Sequence, residues 1–223
     1  MNFQKLKLVA SLLFLLFTMG FTAPIVAQGK TIIGKKTPYK KYRNTRSQTK
    51  LTSQKTHTKS LAQQITRSKT TDVEKAKSIF IWIATTIQYD TELRLDRNLQ
   101  KEIYTTEANV ITQALRRKKA LCGGYAFLFK QLCEDVGIKA EVIHGYTKQG
   151  TTLKKTSAIP EHTWNAVFLN GTWELLDITW AISHGNPSAP HWFWYCTKPS
   201  DFIKTHVPQE KKWQLTATGS TAK

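Results

Sequence analysis

The sequence predicts an α+β domain in which helices come first and an antiparallel sheet follows. Two amphipathic stripes and one hairpin signal predict it. Val73, Ala76, Ile79, Phe80, Ile83, Ala84 and Ile87 recur at the three-and-four spacing of one helix face. Tyr125, Leu128, Phe129, Leu132 and Val136 repeat that spacing from Leu121 up to a stop at Gly137. Asn170-Gly171 sits between two β-prone runs, the pattern of a two-residue type I′ turn.

Taken in order, Thr71-Asp72-Val73-Glu74 fits a capping box and opens the first of these helices. A further helix is predicted over 107–117, through Val110, Ile111, Ala114 and Leu115. The stripe from Leu121 to Val136 is the third. Residues 139–147 alternate through Ala140 and Val142 and should form the first strand of the sheet. Residues 150–161 read as a polar loop beside the site. The aromatic run Trp192–Cys196 is predicted as the closing strand, with His206 and Pro208 packing a C-terminal turn.

The hairpin has a derivable register. A two-residue turn at Asn170-Gly171 pairs Leu169 with Thr172, and therefore Trp164 with Asp177. His162 and Asp177 then share a face one diagonal step apart, roughly 7–8 Å at the backbone, which an imidazole and a carboxylate can span. Trp164, Ala166, Phe168, Trp173 and Leu175 lie on that face, which should be buried. The opposite face, with Thr163, Asn165, Glu174 and Ile178, is more mixed. A slip of one residue would put His162 and Asp177 on opposite faces.

Cys122 falls in the first turn of the third helix. Unpaired backbone N–H groups and the positive end of the helix dipole there favour a thiolate. Arg116, Arg117, Lys118 and Lys119, just upstream, add potential of the same sign. Gly123 and Gly124 would let a substrate backbone come close, and with Trp164 they are the candidate substrate contacts. Singly, each of these residues has an ordinary structural reading: a core cysteine, a histidine at a strand start, an aspartate in a turn. Jointly they supply a nucleophile, a general base and an orienting carboxylate, Cys122, His162 and Asp177.

These stretches resemble a known family. ALCGGYAFLFKQLCEDVGIKAEVIHGYTK is similar to the nucleophile helix and following strand of the transglutaminase-like (papain-related) superfamily, and HTWNAVFLNGTWELLDITWA to its histidine–aspartate hairpin. KAKSIFIWIATTIQYD resembles the helix placed before the nucleophile, and the segment 194–215 resembles the tail of the kyphoscoliosis-type peptidase branch. The resemblance spans roughly residues 72–215. It implies a papain/transglutaminase-like core, with N-terminal helices and the nucleophile helix packed on an antiparallel β-sheet. It further implies Cys122 as nucleophile, His162 as base and Asp177 as orienter, with no departure at those three positions. An amide bond in a protein or peptide would be the substrate, and no cofactor is expected.

The ends bear on location. Lys5 and Lys7, an apolar run from Leu8 to Phe17 and a small-residue stretch to Ala27 read as a secretory signal peptide cleaved before Gln28. A secreted or periplasmic protein is expected. Residues 28–71 hold twelve Lys and Arg and no acid, so most of the net charge of +18 resides there. With little helical or strand period, that segment reads as a disordered basic linker ahead of a domain over 72–223. It could hold the domain near an anionic envelope polymer or lipid surface. Nucleic acid is excluded as an expected partner, since an exported chain with no binding module offers nothing to read it, and a monomer is expected.

Three cysteines leave one unpaired in any scheme. Cys133 lies eleven residues past Cys122 on one helix, about 16 Å away, whereas a disulfide needs Cα atoms within about 7 Å. Cys133 and Cys196 read as buried thiols. His144, His184 and His191 have no metal-ligand spacing, so no metal is expected. Hydrolysis is favoured over amine transfer, for want of a calcium-loop signature. The competing reading is a catalytically silent domain of the same fold that serves as an envelope binding or scaffolding protein.

Overall fold

The computed structural model describes residues 39–149, 152–153, 160–185 and 189–216. The expected signal peptide, and most of the loop expected over 150–161, lie outside the described residues.

Within the segment expected to be a disordered linker over 28–71, the described residues from Tyr39 onward depart from that expectation. Helix α1 spans Tyr39–Thr66, and Thr58, Ala62 and Thr66 are buried at its C-terminal half. They recur every fourth residue, a helix stripe built of small side chains, with Leu61 and Ile65 packed beside it. Thr66 Oγ1 donates back to the Ala62 carbonyl at 2.8 Å, which satisfies the buried hydroxyl.

Helix α2 (Asp72–Thr86) starts at the expected capping box: the Thr71 side chain accepts from the Glu74 N–H and the Glu74 carboxylate accepts from the Thr71 N–H. Its stripe of Ala76, Ile79, Phe80, Ile83 and Ala84 enters the core. Strand β1 (Gln88–Tyr89) leads to two short helices, α3 (Thr91–Leu95) and α4 (Arg97–Ile103), capped by Asp90 and Asp96. Helix α5 (Glu107–Arg117) has the predicted bounds. Strand β2 (Lys119–Ala120) pairs in parallel with β1, and helix α6 (Cys122–Asp135) follows at once. Gly137 closes α6 at φ +85°, a left-handed conformation that glycine adopts without strain.

The sheet comprises β3 (Ala140–Gln149), β4 (Thr152–Leu153), β5 (His162–Leu169) and β6 (Thr172–Leu176), in the order β4-β3-β5-β6. All these pairings are antiparallel. The hairpin register is the predicted one: Leu169 pairs with Thr172 and Asn165 with Leu176, with Asn170 at φ +51° and Gly171 at φ +83°.

Burial corrects one expectation about that hairpin. Both faces of β5 are covered: the face of Asn165 packs on α6, and the face of Trp164 meets Phe202 and His206. Thr163, Asn165, Val167 and Leu169, on the face expected to be mixed, are buried. Phe168 and Trp173, expected inside, are half-buried at the turn end, where Trp173 meets Trp213 edge-on.

The C-terminal part differs more. The chain leaves β6 into helix α7 (Ile178–Ser183), and the Trp192–Trp194 run forms a 3₁₀ turn rather than a strand. After helix α8 (Pro199–Phe202), the closing strand is β7 (His206–Pro208), which pairs with β3 through Tyr146 and Val207. A second 3₁₀ turn over Lys211–Gln214 buries Trp213. The aromatic run serves packing instead: Trp194 meets Trp180, Phe202 and His206.

Candidate active site

Three elements bring the predicted residues together. Cys122 is the first residue of α6, and Leu121 at its N-cap contributes no side-chain hydrogen bond to the helix. His162 opens β5, paired with Gly145 of β3. Asp177 lies one residue beyond β6, at the level predicted from the turn, but it caps α7 rather than extending the strand, its Oδ1 accepting from the Trp180 N–H at 3.0 Å.

His162 Nε2 lies 2.6 Å from Asp177 Oδ2. A carboxylate can only accept, so Nε2 carries the proton and Nδ1 is left for the other side of the ring, where the side chain of Cys122 hydrogen-bonds His162. Burial disfavours an imidazolium, but the Asp177 charge, its hydrogen bond and the Cys122 side chain outweigh burial and push His162 well above its ordinary value. Burial likewise opposes the Asp177 carboxylate, and His162 and His206 overcome it, holding Asp177 far below the usual carboxylate range. Both shifts describe one ion pair, with the proton on the imidazole.

His206 is the residue the sequence did not assign. It is fully buried, and its Nε2 lies 3.0 Å from Asp177 Oδ2, the oxygen that His162 also uses. It was expected to pack a turn; instead it occupies β7 and faces the carboxylate. His162, Asp177 and His206 are ligand types for a metal, and their donor atoms all fall within 4.8 Å of one another. Both imidazole N–H groups, however, are already spent on Asp177 Oδ2, the atom a cation would need.

The expected substrate contacts are placed differently. Gly123 and Gly124 are buried beneath neighbouring side chains. A Cβ on Gly123 would meet Tyr104 Cε1 at 3.1 Å, and one on Gly124 would meet Ala120 Cβ at 2.8 Å. Their lack of a side chain serves close packing at the start of α6. Trp164, 1% exposed, is a core residue wedged against Phe202 and His206. The basic run upstream of Cys122 is partly neutralised, since Arg117 pairs with buried Asp90 at 2.7 Å and with Glu92 at 3.2 Å. Tyr89 and Tyr104 are the aromatics whose electrostatics couple to Cys122; burial, then that neighbour, push both phenols up. All three cysteines are free.

A thiol at a helix start, a buried histidine–aspartate pair on a hairpin and a helix packed on an antiparallel sheet define the papain/transglutaminase class of fold. The family described as "Transglutaminase-like superfamily" matches residues 59–178, and the chain belongs to it. The match begins within α1, ahead of the boundary expected at 72. The chain is 34% identical over 152 residues to kyphoscoliosis peptidase of Mus musculus, covering 65% of this chain and 22% of that protein. It is 29% identical over 185 residues to Hillarin of Drosophila melanogaster, covering 73% of this chain and 21% of that one. It thus spans about a fifth of the length of these curated relatives. A solved structure described as a TGase overlaps 66% of this chain and 38% of its own, at 18% identity and a TM-score of 0.42.

Proposed function

We propose that the protein is a thiol enzyme that cleaves amide bonds in a protein or peptide through an acyl-enzyme. In this reading the proton of the Cys122 thiol already rests on His162 Nδ1, completing the imidazolium paired with Asp177, and Cys122 Sγ attacks the carbonyl carbon. His162 then returns that proton to the leaving amine as the C–N bond breaks. Water, deprotonated by the same nitrogen, attacks the thioester and releases the acid and the thiol. Asp177 fixes the ring and stabilises the imidazolium. The Cys122 N–H, in the first turn of α6 where backbone N–H groups have no acceptor within the helix, is the donor assigned to the oxyanion.

The observation that carries the reading is the 2.6 Å His162–Asp177 contact on a ring whose other nitrogen is left for Cys122. Similarity to a protein named a peptidase favours water over an amine as acceptor. The basic start and apolar run of residues 5–17 support export, and the twelve basic residues of 28–71 support contact with an anionic polymer or lipid.

The test is iodoacetamide labelling of Cys122 at pH 6 in the wild type and in His162→Ala. The reading expects the wild type to react at least about tenfold faster, as an activated thiol does. Equal rates would overturn it in favour of a non-catalytic scaffold.

A further inference from the structure

We infer that His206 is a positioning residue of this site: its Nε2–H holds the Asp177 carboxylate in line with His162. The inference rests on the Cys122–His162–Asp177 reading and adds a fourth member to it.

Three donors converge on Asp177. Oδ1 accepts from the Trp180 N–H, and Oδ2 accepts from His162 Nε2 at 2.6 Å and from His206 Nε2 at 3.0 Å. With only the first two, the carboxylate could still pivot about its side-chain torsions. The third fixes Oδ2 from a direction independent of its own helix. The Asp177 carboxylate can only accept, so Nε2 of His206 donates, while Nδ1 on the far side of the ring lies 2.8 Å from Thr205 Oγ1, a hydroxyl that also reaches the Phe202 carbonyl at 3.2 Å.

The surroundings argue that this bond is the reason for a histidine here. The ring stacks on Phe202 at 4.1 Å and lies against Trp164, Trp180 and Trp194. In such an apolar shell a phenylalanine would pack at no polar cost, whereas a buried imidazole must find partners. The titratable groups facing it are Asp177 and His162 alone among those described. Burial keeps His206 below its ordinary value despite Asp177, so it donates as a neutral ring. A second cation beside Oδ2 would weaken the His162 imidazolium; a neutral donor orients the carboxylate without competing for its charge. The backbone enforces the geometry through one strand: Gly145 of β3 pairs with His162 on β5 and with Pro208 on β7.

The test reads ring nitrogens by ¹⁵N NMR in the intact wild-type protein and follows the His162 Nε2–H proton in His206→Phe and His206→Gln. Expected are His206 in the neutral Nε2–H tautomer, a His162 proton kept in His206→Gln, and its loss in His206→Phe. Cys122 labelling should fall about 10–100-fold in His206→Phe and be largely restored in His206→Gln, the range typical of an orienting partner. A bare Nε2 on wild-type His206 would overturn the inference, even if His206→Phe fails to fold. So would a folded His206→Phe that keeps both the His162 proton and the wild-type rate. The His162 signal needs no reactive thiol, so an inert Cys122 with that signal intact would sink the enzyme reading and leave the positioning contact standing.

Discussion

Asn165 Nδ2 donates to the Ala126 carbonyl of α6 at 3.0 Å and to the Glu141 carbonyl of β3 at 3.1 Å, tying the helix that begins at Cys122 to the strand β5 that begins at His162. The amide is 1% exposed, so no water would replace it if it were removed, and each carbonyl would lose one of its donors. Asn165→Leu should cost about 1–3 kcal/mol, the penalty for leaving buried partners unpaired. It should also slow Cys122 labelling, because helix and hairpin are no longer held at one separation. Chemical denaturation and labelling of the same preparation check both; a destabilised variant with unchanged labelling would assign Asn165 to the fold alone.

Asp177 has two tasks, and one substitution separates them. Asparagine can still cap α7 through an oxygen facing the Trp180 N–H, yet it cannot accept from both imidazoles without offering its own N–H groups. His162 would be driven to the wrong tautomer. Asp177→Asn should therefore keep the α7 cap while lowering turnover of a peptide substrate by about 10³–10⁴-fold, as the loss of an orienting carboxylate does in triads. Steady-state kinetics and a melting curve measure the two effects.

The His162–Asp177 pair has a definite signature in the pH dependence of stability. His162 titrates higher in the folded chain than the value of about 6.5 it would have unfolded. Between those values the native state binds more protons, so the contribution of His162 is complete below about pH 6.5 and is lost as pH rises through the folded value. Unfolding free energy should decline on the alkaline side, and His162→Gln should flatten that decline. Urea titrations at several pH values from neutral to alkaline would show it.

Burial sorts the three thiols. It pushes Cys133 up strongly and Cys196 to about 11, with Glu174 adding to the latter. Iodoacetamide at neutral pH should therefore label native protein at Cys122 and leave the other two until the chain unfolds, as peptide mapping by mass spectrometry would reveal. Fast modification of Cys196 in the native state would contradict that order.

What the sequence disclosed was whatever local chemistry decides. The Asn170-Gly171 turn fixes a register by itself, and Asp177 fell at the predicted level even though it turned out to cap a helix. The capping box at Thr71 and the stripe from Leu121 to Val136 are equally local. His206 was hidden because β7 is three residues long and gains its meaning from pairing with β3, some sixty residues earlier. The Trp192–Trp194 run satisfied β propensity, but those rings pack against other aromatics from a 3₁₀ turn, where tertiary contacts override propensity. Helix α1 was missed because its buried stripe is Thr58, Ala62 and Thr66, residues that carry almost no hydrophobic signal; their spacing of four was the clue available.

Gly145 supplies the sharpest link between packing and site. A Cβ there would run into the Val207 carbonyl on β7 and the Trp164 ring on β5. One of these is backbone and the other is a fully buried side chain, so neither can yield cheaply. Gly145→Ala should destabilise the domain by about 1–3 kcal/mol, the usual cost of overpacking. It should also move β7 outward, and His206 rides on that strand. The predicted consequence is a weakened His206–Asp177 bond, visible as loss of the His206 Nε2–H signal, in a protein whose Cys122, His162 and Asp177 are unaltered. A variant that is less stable yet keeps that signal would show that Trp164, rather than β7, absorbs the methyl group.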